Sequence, residues 1–324
     1  AQYFSDKFLN SFSRMIGVDA NNIDAEEQSY IHFADMAASA QAALEHAILE
    51  SIRWGVEKTE LKNITISGGV AQNCLAISKV AIHDNIQSVV VPPSPGDSGA
   101  AIGAVNYVRS INGENVLPVD ALAFGATADL LRPPAEFFSS ISEVEFIHQA
   151  AQLIDQGEIV AIFDCRREVG PRALGYRSII CDAGNGEVVS QLNTKIKNRE
   201  QFRPLAPAAL AKHASTLFKL DKKLIKNFNW MGAICFAKND INDRYRSALH
   251  IDQSARLQII TDQDSLFYKI ATLTETKLII NTSFNIASDP IVFDYVDVFI
   301  NMKRMNLKYV VTPSGLFSPK NLEH

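Results

Sequence analysis

The chain has 324 residues, 47% hydrophobic and 21% charged, with a formal net charge of −5. That length accommodates two domains, the composition is that of a globular protein, and the net acidity argues against a general nucleic-acid binder. No apolar run reaches the roughly 20 residues that cross a bilayer, and no basic–apolar–small signal pattern opens the chain, so a cytoplasmic location is expected.

Residues 1–30 are mixed, with an amphipathic stretch around Phe4, Phe8, Phe12 and Met15. From Ile31 to about Lys58, alanines spaced by three and four predict one long helix. A β-branched strand over 63–67 follows, then the turn Gly68-Gly69, a helix from Cys74 to Ile82 and a strand from Ser88 to Val91. The loop Pro92-Pro93-Ser94-Pro95-Gly96 leads to Asp97 and a small-residue helix. Residues 112–126 read as a junction, so the predicted domains are 1–115 and 116–321. Leu322-Glu323-His324 reads as a purification-tag remnant and is set apart. Beyond the junction the pattern predicts a helix over 142–156, a strand over 159–164, a helix over 207–220 and strands over 233–237, 250–252 and 256–260. A helix over 266–273, a strand over 278–280 and a helix over 294–302 complete the reading. The class is α/β. Cys74, Cys165, Cys181 and Cys235 form no CxxC pair and are expected to be buried thiols.

One stretch runs against the acidic background. Between Arg166 and Arg203 there are eight Lys/Arg against four acids. Guanidinium forks beside Gly and Pro turns suit phosphate or carboxylate, because they pair bidentately with oxyanions. The alternative is a solvated basic face, but Gly, Pro, Ala and Leu interleave the charges as in a pocket lining.

Other groups are less specific. Gly68-Gly69 between strand and helix suits an anion, or is only a tight connection. Asp97 is a helix cap or a metal or nucleotide ligand. His250 and Asp252 alternate and would share a strand face. Asn281, Ser283 and Asn285 follow a buried apolar strand and need partners, from a ligand or from a turn network.

Five segments together resemble one family. They are Ser67–Asn73 (SGGVAQN), Pro95–Gly103 (PGDSGAAIG), Gly170–Gly175 (GPRALG), Ile196–Pro204 (IKNREQFRP) and Asn281–Asn285 (NTSFN). The set is similar to the O-carbamoyltransferases of nodulation-factor and antibiotic biosynthesis, in the family's order, over about residues 31–317. The resemblance implies the end of an actin-like ATPase-fold domain, followed by a YrdC-like domain with a twisted mixed sheet. It implies carbamoyl-adenylate formation from carbamoyl phosphate and ATP, then transfer to a hydroxyl of a sugar or natural product. Magnesium with ATP and a further divalent metal, iron among the candidates, are implied cofactors; no nucleic acid or membrane partner is. Carried over onto this chain, the catalytic set is Arg166, Glu168, Arg172, Arg177, Ser178, Lys195, Lys197, Arg199, Arg203, Ser283 and Asn285. Glu168 is expected to hold an arginine in place. Gly68, Gly69, Asn73, His250, Arg256 and Asn281 would contact nucleotide, and Asp97 the metal. The family's paired-histidine motif has no counterpart among the seven scattered histidines, so the chain is expected to be a C-terminal portion of a longer enzyme. Tyr176, where the family usually has Asn, and Cys181-Asp182-Ala183-Gly184 depart from its pattern. Two other functions remain open: threonylcarbamoyl-adenylate synthesis for tRNA modification, and a non-catalytic nucleotide-binding module.

Overall fold

The computed structural model describes residues 27–116, 132–164, 166–197, 205–239, 241, 243–286 and 289–320, with side chains from residue 34 onward. The chain divides into two compact units, residues 1–61 and 62–324. The described part of the first is a single helix, α1 (Glu27–Thr59), four residues longer at its start than the alanine spacing predicts. No helix among the described residues is long and apolar enough to cross a membrane.

The second unit begins with a strand–helix–strand turn of chain. β1 (Asn63–Thr65) and β2 (Ser88–Val90) pair in parallel, joined by α2 (Cys74–Ala81). α2 starts where it does because the Asn73 side chain accepts a hydrogen bond from the Ala76 amide at 3.0 Å, satisfying a first-turn donor. Its Ile77 and Val80 are fully buried. A short 3₁₀ turn, Asp97–Gly99, leads into α3 (Ala100–Ile111), which buries none of its side chains.

The remainder is built on an eight-stranded mixed sheet. β3 (Phe138–Ser142), α4 (Phe146–Asp155), β4 (Val160–Phe163), β5 (Arg177–Asp182), α5 (Gly186–Gln191) and a π-helical turn, Leu192–Ile196, come first. β6 (Ala206–Leu210), α6 (Ala211–Leu217), β7 (Phe218–Lys219), β8 (Cys235–Ala237), β9 (Ser254–Ala255), β10 (Gln258–Ile260) and α7 (Leu266–Leu273) follow. β11 (Ile279–Ser283), α8 (Tyr295–Met305), β12 (Tyr309–Thr312) and β13 (Gly315–Pro319) close the chain. The large sheet has the order β10-β6-β11-β5-β4-β12-β13-β3, and β7-β8-β9 form a small one. α4 and α7 cover one face: Ile154, Phe267 and Ile270 pack on Ile162, Ile180 and Ile279, all at most 2% exposed. The α/β class and the mixed sheet are as expected from the sequence.

Three sequence expectations need correction. Residues 206–210 are a strand, not the start of a helix. This Ala- and Pro-containing run is wholly buried between β10 and β11, and tertiary pairing overrides its local propensity. Pro207 is tolerated because β10 begins pairing only opposite Ala208. The helix placed at 142–156 begins at Phe146, since residues 138–142 pair with β13 and Glu145 turns the chain with φ 55°. His250 and Asp252 share no strand. They stand in a turn where the Gln253 amide donates to the His250 carbonyl at 2.9 Å and the Ser254 amide to Asp252 Oδ1 at 3.0 Å, an Asx-type connection into β9. Of the cysteines, Cys181 and Cys235 are buried and Cys74 is half-buried, all three as free thiols; Cys165 lies outside the described residues.

Candidate functional site

Pairing of β5 with β11 places Ser178 opposite Ser283 and Ile180 opposite Asn281, so two sequence-distant motifs meet at one end of the sheet. Directly opposed residues share a sheet face.

The loop entering β5 is pinned from inside. Glu168, whose side chain is fully buried, accepts from the Leu174 amide at 3.0 Å and the Arg177 amide at 3.2 Å. Its other oxygen takes Arg177 Nε at 2.8 Å, while the Glu168 and Val292 carbonyls accept from the two Arg177 Nη atoms. Glu168 therefore does hold an arginine, and that arginine is occupied within the protein. Ser178 is wholly buried, its Oγ accepting from the Gly175 amide at 2.9 Å. Gly175 has φ 110°, and a Cβ there would lie 2.4 Å from the Phe267 ring, so only glycine fits.

Lys197, at the end of the π-helical turn, gathers the second group. Its ammonium donates to the Ser283 carbonyl (2.8 Å) and Oγ (3.2 Å) and to the Asn285 carbonyl (2.6 Å) and Oδ1 (2.8 Å). The structure thus brings Lys197, Ser283 and Asn285 together, as the sequence implied, with the charge absorbed by protein oxygens. Lys195 is exposed two residues earlier, and Arg199 and Arg203 lie outside the described residues.

Arg166 pairs with Asp262 at 3.1 Å and lies over the Tyr176 ring, 5.7 Å from its centroid. The Tyr176 hydroxyl donates to the same Asp262 oxygen, and burial, then that hydrogen bond, push its pKa upward. Asp262 was not singled out by sequence reading; an Asp after a buried strand reads as an ordinary turn residue.

Arg172 differs from these. It is half-buried, burial holds its guanidinium below the usual arginine pKa, and among the described residues it has no ion-pair partner. The loop just after it is fixed at two carbonyls. The Asn281 Nδ2 donates to the Ala173 carbonyl at 3.2 Å, and Gln258 Nε2 to the Leu174 carbonyl at 2.8 Å. Gln258 too was missed by sequence reading, hidden as one polar letter in an apolar run.

A cleft of about 360 Å³ opens beside the same loop, lined by Gly68, Pro93, Asp97, Ala100 and Val169 among others. The Gly68 amide donates to the Pro95 carbonyl at 2.6 Å, which joins the glycine turn to the loop carrying Asp97. Gly170, with φ 131°, brings the arginine loop against them: a Cβ there would sit 2.7 Å from the Pro93 carbonyl oxygen. Gly69 and Asn73 continue the glycine turn, with Asn73 used as the α2 cap. Asp97 is exposed, and among the described residues no group of three His, Cys, Asp or Glu side chains is placed to hold a metal. His250 stands exposed in its turn, and Arg256 is half-buried just before β10.

Comparison with known proteins identifies the family. The profile described as "Carbamoyltransferase C-terminus" matches residues 151–318, more than half the chain, and "Carbamoyltransferase N-terminus" matches residues 4–106. The chain belongs to the carbamoyltransferase family. The Nodulation protein U of Azorhizobium caulinodans is 30% identical over 85% of this chain and 51% of its own length. Nodulation protein NolNO of Sinorhizobium fredii is 26% identical over 88% and 44%, and the uncharacterized protein sll1178 of Synechocystis sp. 30% identical over 86% and 51%. The chain spans about half the length of the curated relatives it matches. Among solved structures, the crystal structure of T. kodakarensis HypF superposes on 52% of this chain and 21% of its own, with a TM-score of 0.40 and 20% identity.

Proposed function

We propose that the chain is the carbamoyl-activating portion of an O-carbamoyltransferase: water splits carbamoyl phosphate to carbamate and phosphate, and the carbamate oxygen displaces pyrophosphate from the ATP α-phosphate to give carbamoyl-adenylate. The observation that carries this reading is Arg172: a half-buried cation with no ion-pair partner among the described residues, just before a pinned stretch of loop, in a family that transfers carbamoyl groups. A desolvated guanidinium of this kind stabilises negative charge far better than a solvated one, and its fixed loop spares reorganisation during reaction. Both substrates are polyanions, so catalysis rests on positioning and charge neutralisation.

In this reading Arg172 faces the phosphates. Arg166 and Lys195 supply further positive charge, and Arg199 and Arg203 from the adjoining segment complete it. Arg177 and Lys197 act differently: they hold the loops at Glu168 and at Ser283–Asn285 in place, their protons being engaged already. Magnesium bound with ATP would neutralise phosphate charge. The cleft at Gly68 and Asp97, next to the glycine turn of Gly69 and Asn73, would take the adenylate for transfer to an acceptor hydroxyl, in the cytoplasm. Asp97 would give one oxygen to a divalent metal, iron among the candidates; no group of three His, Cys, Asp or Glu side chains among the described residues would complete its coordination.

The test is carbamoyl-phosphate-dependent exchange of labelled pyrophosphate into ATP. The chain should bind ATP yet fail to carbamoylate an acceptor by itself, and full transfer by it would refute that division. Arg172→Ala should slow the exchange by about 2–4 kcal/mol of transition-state stabilisation. Exchange that is indifferent to Arg172→Ala removes the pocket assignment. Exchange that needs threonine and bicarbonate instead of carbamoyl phosphate points to threonylcarbamoyl-adenylate synthesis, and ATP binding without any exchange to a binding module.

A further inference from the structure

We infer that Gln258 is a positioning residue that acts through Arg172, by way of a buried amide pair with Asn281; the inference rests on the reading of Arg172 as a phosphate-binding group. Gln258 and Asn281 are 1% and 2% exposed. They sit on β10 and β11, which flank β6. Gln258 is in register with Ala208 and Asn281 with Ala206, so the two amides reach toward each other over a strand whose side chains there are only methyl groups. They meet: Asn281 Nδ2 donates to Gln258 Oε1 at 2.6 Å.

The orientation of both amides is over-determined. Gln258 Nε2 donates to the Leu174 carbonyl, which leaves its oxygen toward Asn281. Asn281 Nδ2 spends its two hydrogens on Gln258 Oε1 and the Ala173 carbonyl. Turning either amide over would set oxygen against oxygen. The arrangement is kept although it leaves the buried Asn281 Oδ1 with no partner among the described residues, a cost a buried acceptor ordinarily avoids. What is gained is a fixed loop. Residues 173–175 are held at four points, the carbonyls of Ala173 and Leu174 by the amide pair and the amides of Leu174 and Gly175 by Glu168 and Ser178. Arg172 is the residue just before this fixed stretch. Its guanidinium leaves the loop in a direction that Gln258 helps set, although Gln258 itself touches no substrate.

The experiment is a double-mutant cycle on the whole chain, read as magnesium-ATP affinity by calorimetry, with thermal melting alongside. Gln258→Leu should weaken ATP about tenfold, the value of a hydrogen bond or two lost from a fixed loop. In an Arg172→Ala background the same change should alter affinity less than about twofold, because a group acting through Arg172 has nothing left to act on. Equal loss in both backgrounds, or a fall in melting temperature with ATP affinity intact, overturns the positioning role and leaves the pocket assignment standing. Arg172→Ala that leaves ATP affinity unchanged overturns both. If Gln258→Leu does not fold, Gln258→Met carries the same comparison: it is uncharged, keeps an unbranched side chain of similar length and removes the donor to Leu174. Its loss of affinity should likewise vanish without Arg172.

Discussion

Residues 62–116 and residues 132–320 belong to one compact unit but are built in opposite ways. The first has two three-residue strands, and its helix α3 buries nothing, leaving Tyr107 68% and Ile111 65% exposed. The second has strands such as β4 and β6 with every residue buried, and three charged groups taken inside it are bonded: Glu168 to Arg177, Asp182 to Thr276 and Arg244, Lys197 to Ser283 and Asn285. The lesson concerns where charge is expensive. In the thin region a motif residue such as Asp97 meets water and can be exchanged at little cost in stability. In the thick region the buried charges Glu168, Asp182 and Lys197 have partners that their removal would strand.

The largest contrast should come from Glu168→Ala. It leaves Arg177, 12% exposed, without its counter-charge and frees two buried amides, so about 3–5 kcal/mol of stability should be lost in urea unfolding. A loss below 1 kcal/mol would mean the second region is no more demanding than the first. Gly170→Ala tests the seam between them. With φ 131° and Pro93 in the way, it should cost about 1–3 kcal/mol and weaken ATP binding along with stability. An unchanged melting temperature would show that the two loops part easily. At the small end, Ile111→Glu on α3 should stay within about 0.5 kcal/mol of the parent, as exposed positions do. A larger penalty would reveal packing on α3 and break the comparison from its weak side.

Periodicity alone reaches some of this. α7 was legible residue for residue, since Leu266, Phe267, Ile270 and Ala271 carry a helical stripe and Ser265 caps it. β6 was not, because Ala-Pro-Ala-Ala-Leu has no local strand signal and becomes a strand only by lying between β10 and β11. The candidate site divides similarly. The family resemblance put Lys197 among the phosphate-binding cations, in one catalytic set with Ser283 and Asn285, and gave Glu168 as the holder of an arginine. It did not reveal that Arg177 and Lys197 spend their protons inside the protein, because several acceptors are backbone carbonyls of Val292, Ser283 and Asn285, which no side-chain pattern displays. Gln258 was hidden for a related reason: its function depends on two alanines on the strand beside it.

The register of β5 against β11 has a consequence for the order of events in folding. Ser178 and Ser283 oppose each other only after a contact between distant parts of the chain has closed, and such contacts carry a large loop-closure cost. A slip of one residue would turn Asn281 and Ser283 to the wrong side of the sheet. A chain collapsed but not yet zipped there holds every residue of the proposed anion site and none of its geometry, so on that proposal ligand capture is a gauge of that last long-range closure.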